Sequence, residues 1–156
     1  MAPSVPGKTA KRSIVFVDND RFFLEALTDF LGEKGFVVYT AQDGLEALSL
    51  IREVMPDYIL LDIVIPKIDG GRVCAAVRED DRLRHIPIIA FSGLSPQDYH
   101  LFPGLKADAY VAKGPLTTAV ENVLQVIRRF EDGGRNSAEG QVLGYENFRP
   151  RQIVNE

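Results

Sequence analysis

The chain has 156 residues, room for one domain and not for two full ones. Its 18 Lys and Arg against 22 Asp and Glu leave a net charge of −4, the wrong sign for a nucleic-acid-binding face. Hydrophobic residues make up 46%, enough for a core, but the longest apolar runs (58–61 and 86–91) are too short to cross a bilayer, and the single cysteine, Cys74, excludes a disulfide scaffold.

Residues 1–12 hold two prolines, a glycine and three basic side chains without periodicity, and are expected to form a flexible arm. They lack the apolar run of a secretory signal, so the expected location is the cytoplasm. Ile14-Val-Phe-Val17 is a continuous apolar run that stops at Asp18-Asn-Asp20, as a strand buried on both faces would. Phe23, Leu27, Phe30 and Leu31 then recur at helical spacing, with Gly35 as a stop signal. Residues 36–40 are β-branched and aromatic, a second strand. Asp43-Gly-Leu-Glu46 has the form of a capping box and opens a helix through Leu45, Leu48 and Ile51. The third strand, Tyr58–Leu61, ends in another acid, Asp62. A loop with Pro66 and Asp69-Gly-Gly71 leads to a helix carrying Val73, Cys74 and Val77. A fourth strand over 86–91 ends at Ser92-Gly93, and the stretch 95–105 has room for a short helix that Pro103 and Gly104 would end. Ala109–Ala112 is a fifth strand followed by Lys113, and residues 116–130 form an amphipathic helix. The run 132–140 reads as a linker, and 142–156 finds no partner within the chain.

This alternation is (βα)5, and it implies an α/β fold with a doubly wound parallel sheet. In such a sheet the strand C-termini share one edge, where ligands bind. Four of the five strands end there in a polar group: Asp18, Asn19 and Asp20, then Asp62, Ser92 and Lys113. Two carboxylates and an amide offer the oxygen ligands that Mg²⁺ prefers. A lysine and a hydroxyl beside them are what a phosphoryl oxygen needs. The set therefore suggests phosphoryl transfer onto a carboxylate.

Read together, Val17-Asp18-Asn19, Leu60-Leu-Asp62-Ile-Val-Ile-Pro66, Ala90-Phe-Ser92-Gly93 and Tyr110-Val-Ala-Lys113 resemble the receiver (CheY-like) domain of bacterial two-component response regulators. The intervals of 43, 30 and 21 residues from Asn19 to Asp62, Ser92 and Lys113 in turn are close to that family's, and the likeness covers residues 13–131. It implies a flavodoxin-like sheet in order 2-1-3-4-5 and a cytoplasmic signalling module that is not an enzyme. By the same resemblance Asp62 is the phospho-acceptor, and Mg²⁺ is held by Asp18, Asn19, Asp62 and the backbone carbonyl of Val64. Ser92 and Lys113 bind the phosphoryl group, and Tyr110 turns inward as the Ser92 hydroxyl moves. The implied partners are a sensor histidine kinase or phosphotransfer protein and a downstream output domain or protein target, with no direct nucleic-acid or membrane contact. The 26 residues after Phe130 are too few for a helix-turn-helix output domain, so the expectation is a stand-alone receiver or a piece of a longer regulator.

Two positions depart from the family pattern. Asn19 stands where an acid is usual, which removes a negative charge and should weaken metal binding. Asp20 is better placed to cap the following helix than to replace that charge. Gly114 separates Lys113 from Pro115, which loosens the turn that aims the lysine. Two other readings therefore stay open. One is a degenerate receiver that binds partners without phosphorylation. The other is a haloacid-dehalogenase-like phosphatase, because Asp18-Asn-Asp20 superficially has that family's Asp-x-Asp form. Against the phosphatase, Phe22 occupies the place of its usual Thr or Val, and a late acidic motif after the fourth strand is missing.

Overall fold

Alternate side chains of each central strand enter different cores, which is why those strands are apolar without interruption. The computed structural model describes residues 11–134 and 141–145. Within it β1 (Ser13–Val17) sends Ile14 and Phe16 to one core and Val15 and Val17 to the other. β3 (Tyr58–Leu61) divides in the same way, Tyr58 and Leu60 against Ile59 and Leu61. This is the period of two expected of strands covered on both faces. The first core is closed by α1 (Arg21–Glu33), through Leu24, Leu27 and Leu31, and by α4 (Leu116–Gly133). The second is closed by α2 (Gly44–Val54), through Ala47, Leu48 and Ile51, and by α3 (Gly70–Glu79), through Val73, Cys74 and Val77.

The remaining strands are β2 (Val37–Ala41), β4 (Ile88–Ser92), β5 (Ala109–Ala112) and β6 (Gln141–Leu143). All pairings are parallel, in the order β2-β1-β3-β4-β5-β6. The expected 2-1-3-4-5 order is therefore present, with one addition. Part of the stretch expected to have no partner within the chain forms β6 along the free edge of β5. Its three residues carry no pattern of their own and become a strand only because β5 offers unpaired backbone groups. The expected arm and tail lie outside the described residues over 1–10 and 146–156, and so do residues 135–140 of the expected linker. The first part of that linker is helical, since α4 continues to Gly133.

Two further differences have local causes. β4 begins at Ile88 instead of residue 86, because Pro87 has no N–H to give the ladder. The fourth crossover is a 3-10 helix, Pro96–Leu101, started by Ser95 accepting the N–H of Gln97 and ended before Pro103. The capping box is formed: Asp43 Oδ1 accepts the N–H of Glu46 at 2.8 Å, and Glu46 Oε2 accepts that of Gln42 at 3.1 Å.

Candidate functional site

Because the strands are parallel, β1, β3, β4 and β5 deliver their terminal residues to one edge. Asp18 follows β1 and is fully buried. Its Oδ1 accepts the Asp20 N–H at 2.9 Å, which fixes the turn into α1. Asp20 then caps that helix, its Oδ1 accepting the N–H of Phe22 at 3.0 Å. The capping role expected of Asp20 is thus the observed one. Asp62 follows β3 and is 2% exposed.

Lys113 leaves β5 and brings its Nζ to 2.9 Å from Asp62 Oδ2 and 2.7 Å from Asp18 Oδ2. The ammonium also stands 5.1 Å from the ring centre of Phe23 and 5.8 Å from that of Phe91. These rings, themselves edge-to-face at 5.6 Å, wall the lysine in and favour its charged form. The helical spacing places Phe23 on the core face of α1, where it packs; its contact with the lysine joins two distant segments and has no local signature.

The titration behaviour follows from this geometry. Burial pushes the Asp62 carboxyl up from its ordinary 3.8 to about 6; Lys113 opposes that rise, and the Asp18 charge adds to it. Burial alone would lower the Lys113 ammonium, but Asp62 and Asp18 together outweigh burial and hold it above the usual lysine value. Two carboxylates facing one ammonium leave a negative charge uncompensated. Asp18 Oδ2 is buried without a hydrogen bond of good angle, so its contact with Lys113 is one of charge. This donor set fits a hard divalent cation. Among the described residues no three His, Cys, Asp or Glu side chains converge on a metal-sized point, so any such ion would also need neutral oxygens.

A cleft of about 280 Å³ opens above these groups, lined by Asn19, Asp20, Asp62, Gly93 and Lys113. Asn19 is exposed at its mouth. Val64 donates its N–H to Asp62 Oδ1 at 3.3 Å, so the loop after β3 bends back over the acid. Gly70 allows that bend: a Cβ there would lie 2.6 Å from Ile63 Cα and 2.8 Å from the Asp62 carbonyl oxygen.

Ser92 is fully buried, and its Oγ accepts the N–H of Leu94 at 3.1 Å. Its neighbour Gly93, with no side chain, lines the cleft instead. The register of Leu61 beside Ala90 sets Asp62 level with Phe91, one residue short of Ser92. Tyr110 lies away from the cleft lining: its ring stacks on Tyr99 with centres 4.8 Å apart, and its hydroxyl accepts the N–H of Ala107 at 3.4 Å. Asp18 and Asp62 thus both contact Lys113, Asn19 is at the rim, Ser92 is buried next to the glycine that lines the cleft, and Tyr110 is not brought to the cleft lining.

The profile of the response regulator receiver domain matches residues 14–124. The chain belongs to the response regulator receiver family. This receiver is 33% identical over 103 residues to the polar-differentiation response regulator DivK of Brucella anthropi, covering 65% of this chain and 84% of that one. It is also 33% identical over 139 residues to the "Probable transcriptional regulator ycf27" of Guillardia theta. That match covers 88% of this chain but spans only about half, 54%, of the relative's length. Among solved structures, the receiver domain of the sensor histidine kinase PA1611 from Pseudomonas aeruginosa superposes with a TM-score of 0.71 at 24% identity, covering 80% of this chain and all of that one, and so shares its fold. Receivers are signalling domains of two-component systems. Among the described residues no helix is long and apolar enough to cross a membrane.

Proposed function

We propose that the receiver is a phospho-accepting switch, in which Asp62 takes a phosphoryl group from a phosphohistidine on a sensor kinase or phosphotransfer protein. The observation that carries this reading is Lys113 Nζ held within 2.9 Å of Asp62 and 2.7 Å of Asp18 at the floor of an open cleft. A carboxylate oxygen of Asp62 attacks phosphorus, and the donor's N–P bond breaks. The bonding pair stays on the imidazole nitrogen, which takes up a proton, and an acyl phosphate remains on Asp62. Lys113 then pairs with a phosphoryl oxygen, and the Ser92 hydroxyl donates to another. Gly93 leaves room for the group. Asp18, Asp62, the Asn19 amide and the Val64 carbonyl would hold Mg²⁺, which supplies charge neutralisation when bound. The structure of the PA1611 receiver has magnesium coordinated in its active-site cleft, which supports that assignment. The modified receiver then presents an altered surface to an output domain or protein target in the cytoplasm.

The burial of the two acids favours Asp62 over Asp18 as nucleophile. Asp18 is fully buried and is not part of the cleft lining, whereas Asp62 is. Incubation with radiolabelled acetyl phosphate and Mg²⁺ should label the protein, and Asp62→Asn should abolish the label. Label surviving in that variant would assign the nucleophile elsewhere. No label from acetyl phosphate or from any histidine kinase would make this a receiver that signals by binding alone.

A further inference from the structure

β5 has two flanks and one free end, and all three are in use. On one flank it pairs with β4, with Ser92 beside Ala112. At its end comes Lys113, whose N–H bonds the Ser92 carbonyl at 2.9 Å and whose ammonium joins Asp18 and Asp62. On the other flank lies β6, with Ala109, Tyr110 and Val111 beside Gln141, Val142 and Leu143. Leu143 packs against the core under α1 and α4. Gly144 follows with φ +83°, and its backbone presses on the strand end: a Cβ there would meet Asn122 Nδ2 at 2.9 Å and Ala112 Cβ at 3.4 Å. Tyr145 closes the run with a hydroxyl bond to Tyr99, whose ring stacks on Tyr110 of β5. Gln141–Tyr145 thus touches the strand at the residue before Lys113 and at the tyrosine two residues further back.

We infer that Gln141–Tyr145 is a strap seated on the β5 edge that reads the state of the Asp62 cleft through Lys113 and comes away when Asp62 is loaded. The inference rests on Asp62 being the phospho-acceptor. A group added to Asp62 takes up the ammonium that now bridges two carboxylates, and so changes the pull on the end of β5. The strap's contacts with Ala112, Asn122, Tyr99, the β5 backbone and the core under Leu143 are made while Lys113 holds Asp18 and Asp62. A shift of the strand end loses some of them and offers no replacement. The strap therefore binds the unloaded form more tightly, and by reciprocity loading and strap docking oppose each other. Five residues, held through three ladder positions, the Leu143 packing and the Tyr145 hydroxyl, make a short attachment within reach of such a change.

The test uses the full chain with beryllium fluoride and Mg²⁺ as the phosphoryl mimic. Loading at Asp62 is read by a bound fluorine resonance that Asp62→Asn removes. Amide hydrogen exchange over 141–145 should become about tenfold faster on loading, with β1 unchanged. Tyr145→Phe keeps the ring and removes the bond to Tyr99, and a net hydrogen bond of ordinary strength corresponds to about fivefold. That variant should exchange its strap up to about fivefold faster unloaded, and should bind beryllium fluoride more tightly by up to the same factor. Loaded protein with unchanged exchange over 141–145, or a Tyr145→Phe variant with unchanged affinity, overturns the strap while leaving Asp62 in its role. Absence of the bound resonance overturns the Asp62 assignment, and the strap with it.

Discussion

Asp62 is held in a state that costs the fold stability, and the cost has a definite pH dependence. Its carboxyl is raised from 3.8 to about 6, first by burial and then by the Asp18 charge, against the pull of Lys113. A rise of about two units corresponds to roughly 3 kcal/mol between the ionised and neutral forms. Here the folded value lies above the unfolded one. Below about pH 4 the acid is neutral in both states and the penalty is absent. Between about 4 and 6 the folded chain keeps a proton that the unfolded chain has lost, so stability falls as pH rises. Above about 6 the full penalty is in place.

Asp62→Asn removes that charge with little change in shape and leaves Lys113 paired with Asp18 at 2.7 Å. The variant should be more stable than the natural protein by about 2 kcal/mol at pH 7.5, the penalty being discounted for the buried amide that replaces the acid. For a chain of this size that is a gain of about 5 °C in Tm. Thermal unfolding in EDTA at pH 7.5 and pH 4.5 checks both sign and origin, since the advantage should fall to about a third at the lower pH. A variant less stable than the natural protein at pH 7.5, or an advantage unchanged by pH, would refute the electrostatic account.

Asn19→Asp should tighten Mg²⁺ about tenfold, or about 1.4 kcal/mol, after self-repulsion and exposure at the rim discount the added charge; calorimetric titration of both forms checks this, and equal affinities would show that position 19 does not face the ion. Arg78 closes the far end of the sheet, its guanidinium 2.7 Å from buried Asp108 Oδ2 and 2.8 Å from the Ile86 carbonyl. Arg78→Ala should therefore cost about 3 kcal/mol in urea unfolding by stranding that carboxylate; a loss below about 1 kcal/mol would contradict the pairing. Gly70→Ala should cost about 2 kcal/mol, because backbone at Ile63 and Asp62 must move to admit the methyl group, and it should slow labelling of Asp62 by acetyl phosphate. Unchanged stability would mean the loop after β3 gives way freely.

What was legible in the sequence was whatever a parallel sheet imposes by itself. The uninterrupted runs at Ile14–Val17 and Tyr58–Leu61 announce strands with a core on each side, and the polar residue after each run must then fall at a common edge. That is why the strand pattern alone groups Asp18, Asp62 and Lys113. Contacts made across the sheet were not legible. Phe23 fits a helix pattern and Phe91 a strand pattern, and neither pattern says that both rings enclose the same ammonium. Val142 and Leu143 look like part of a tail because nothing near them in sequence supplies the partner; β5 does, from some thirty residues away.

The same division shows which parts of the molecule are bent toward a task. A sequence selected for stability alone would not bury two carboxylates against one ammonium, nor raise one of them to about 6. Among the described residues the other buried ion pair, Arg78 with Asp108, is also bonded to backbone groups. Consistency between local pattern and global fold holds throughout the cores and fails at the edge where Asp18, Asp62 and Lys113 meet, as expected where binding and not stability sets the residue. An added cation would relieve that imbalance. The uncompensated charge of Asp18 and Asp62 beside Lys113 is therefore a driving force toward cation binding.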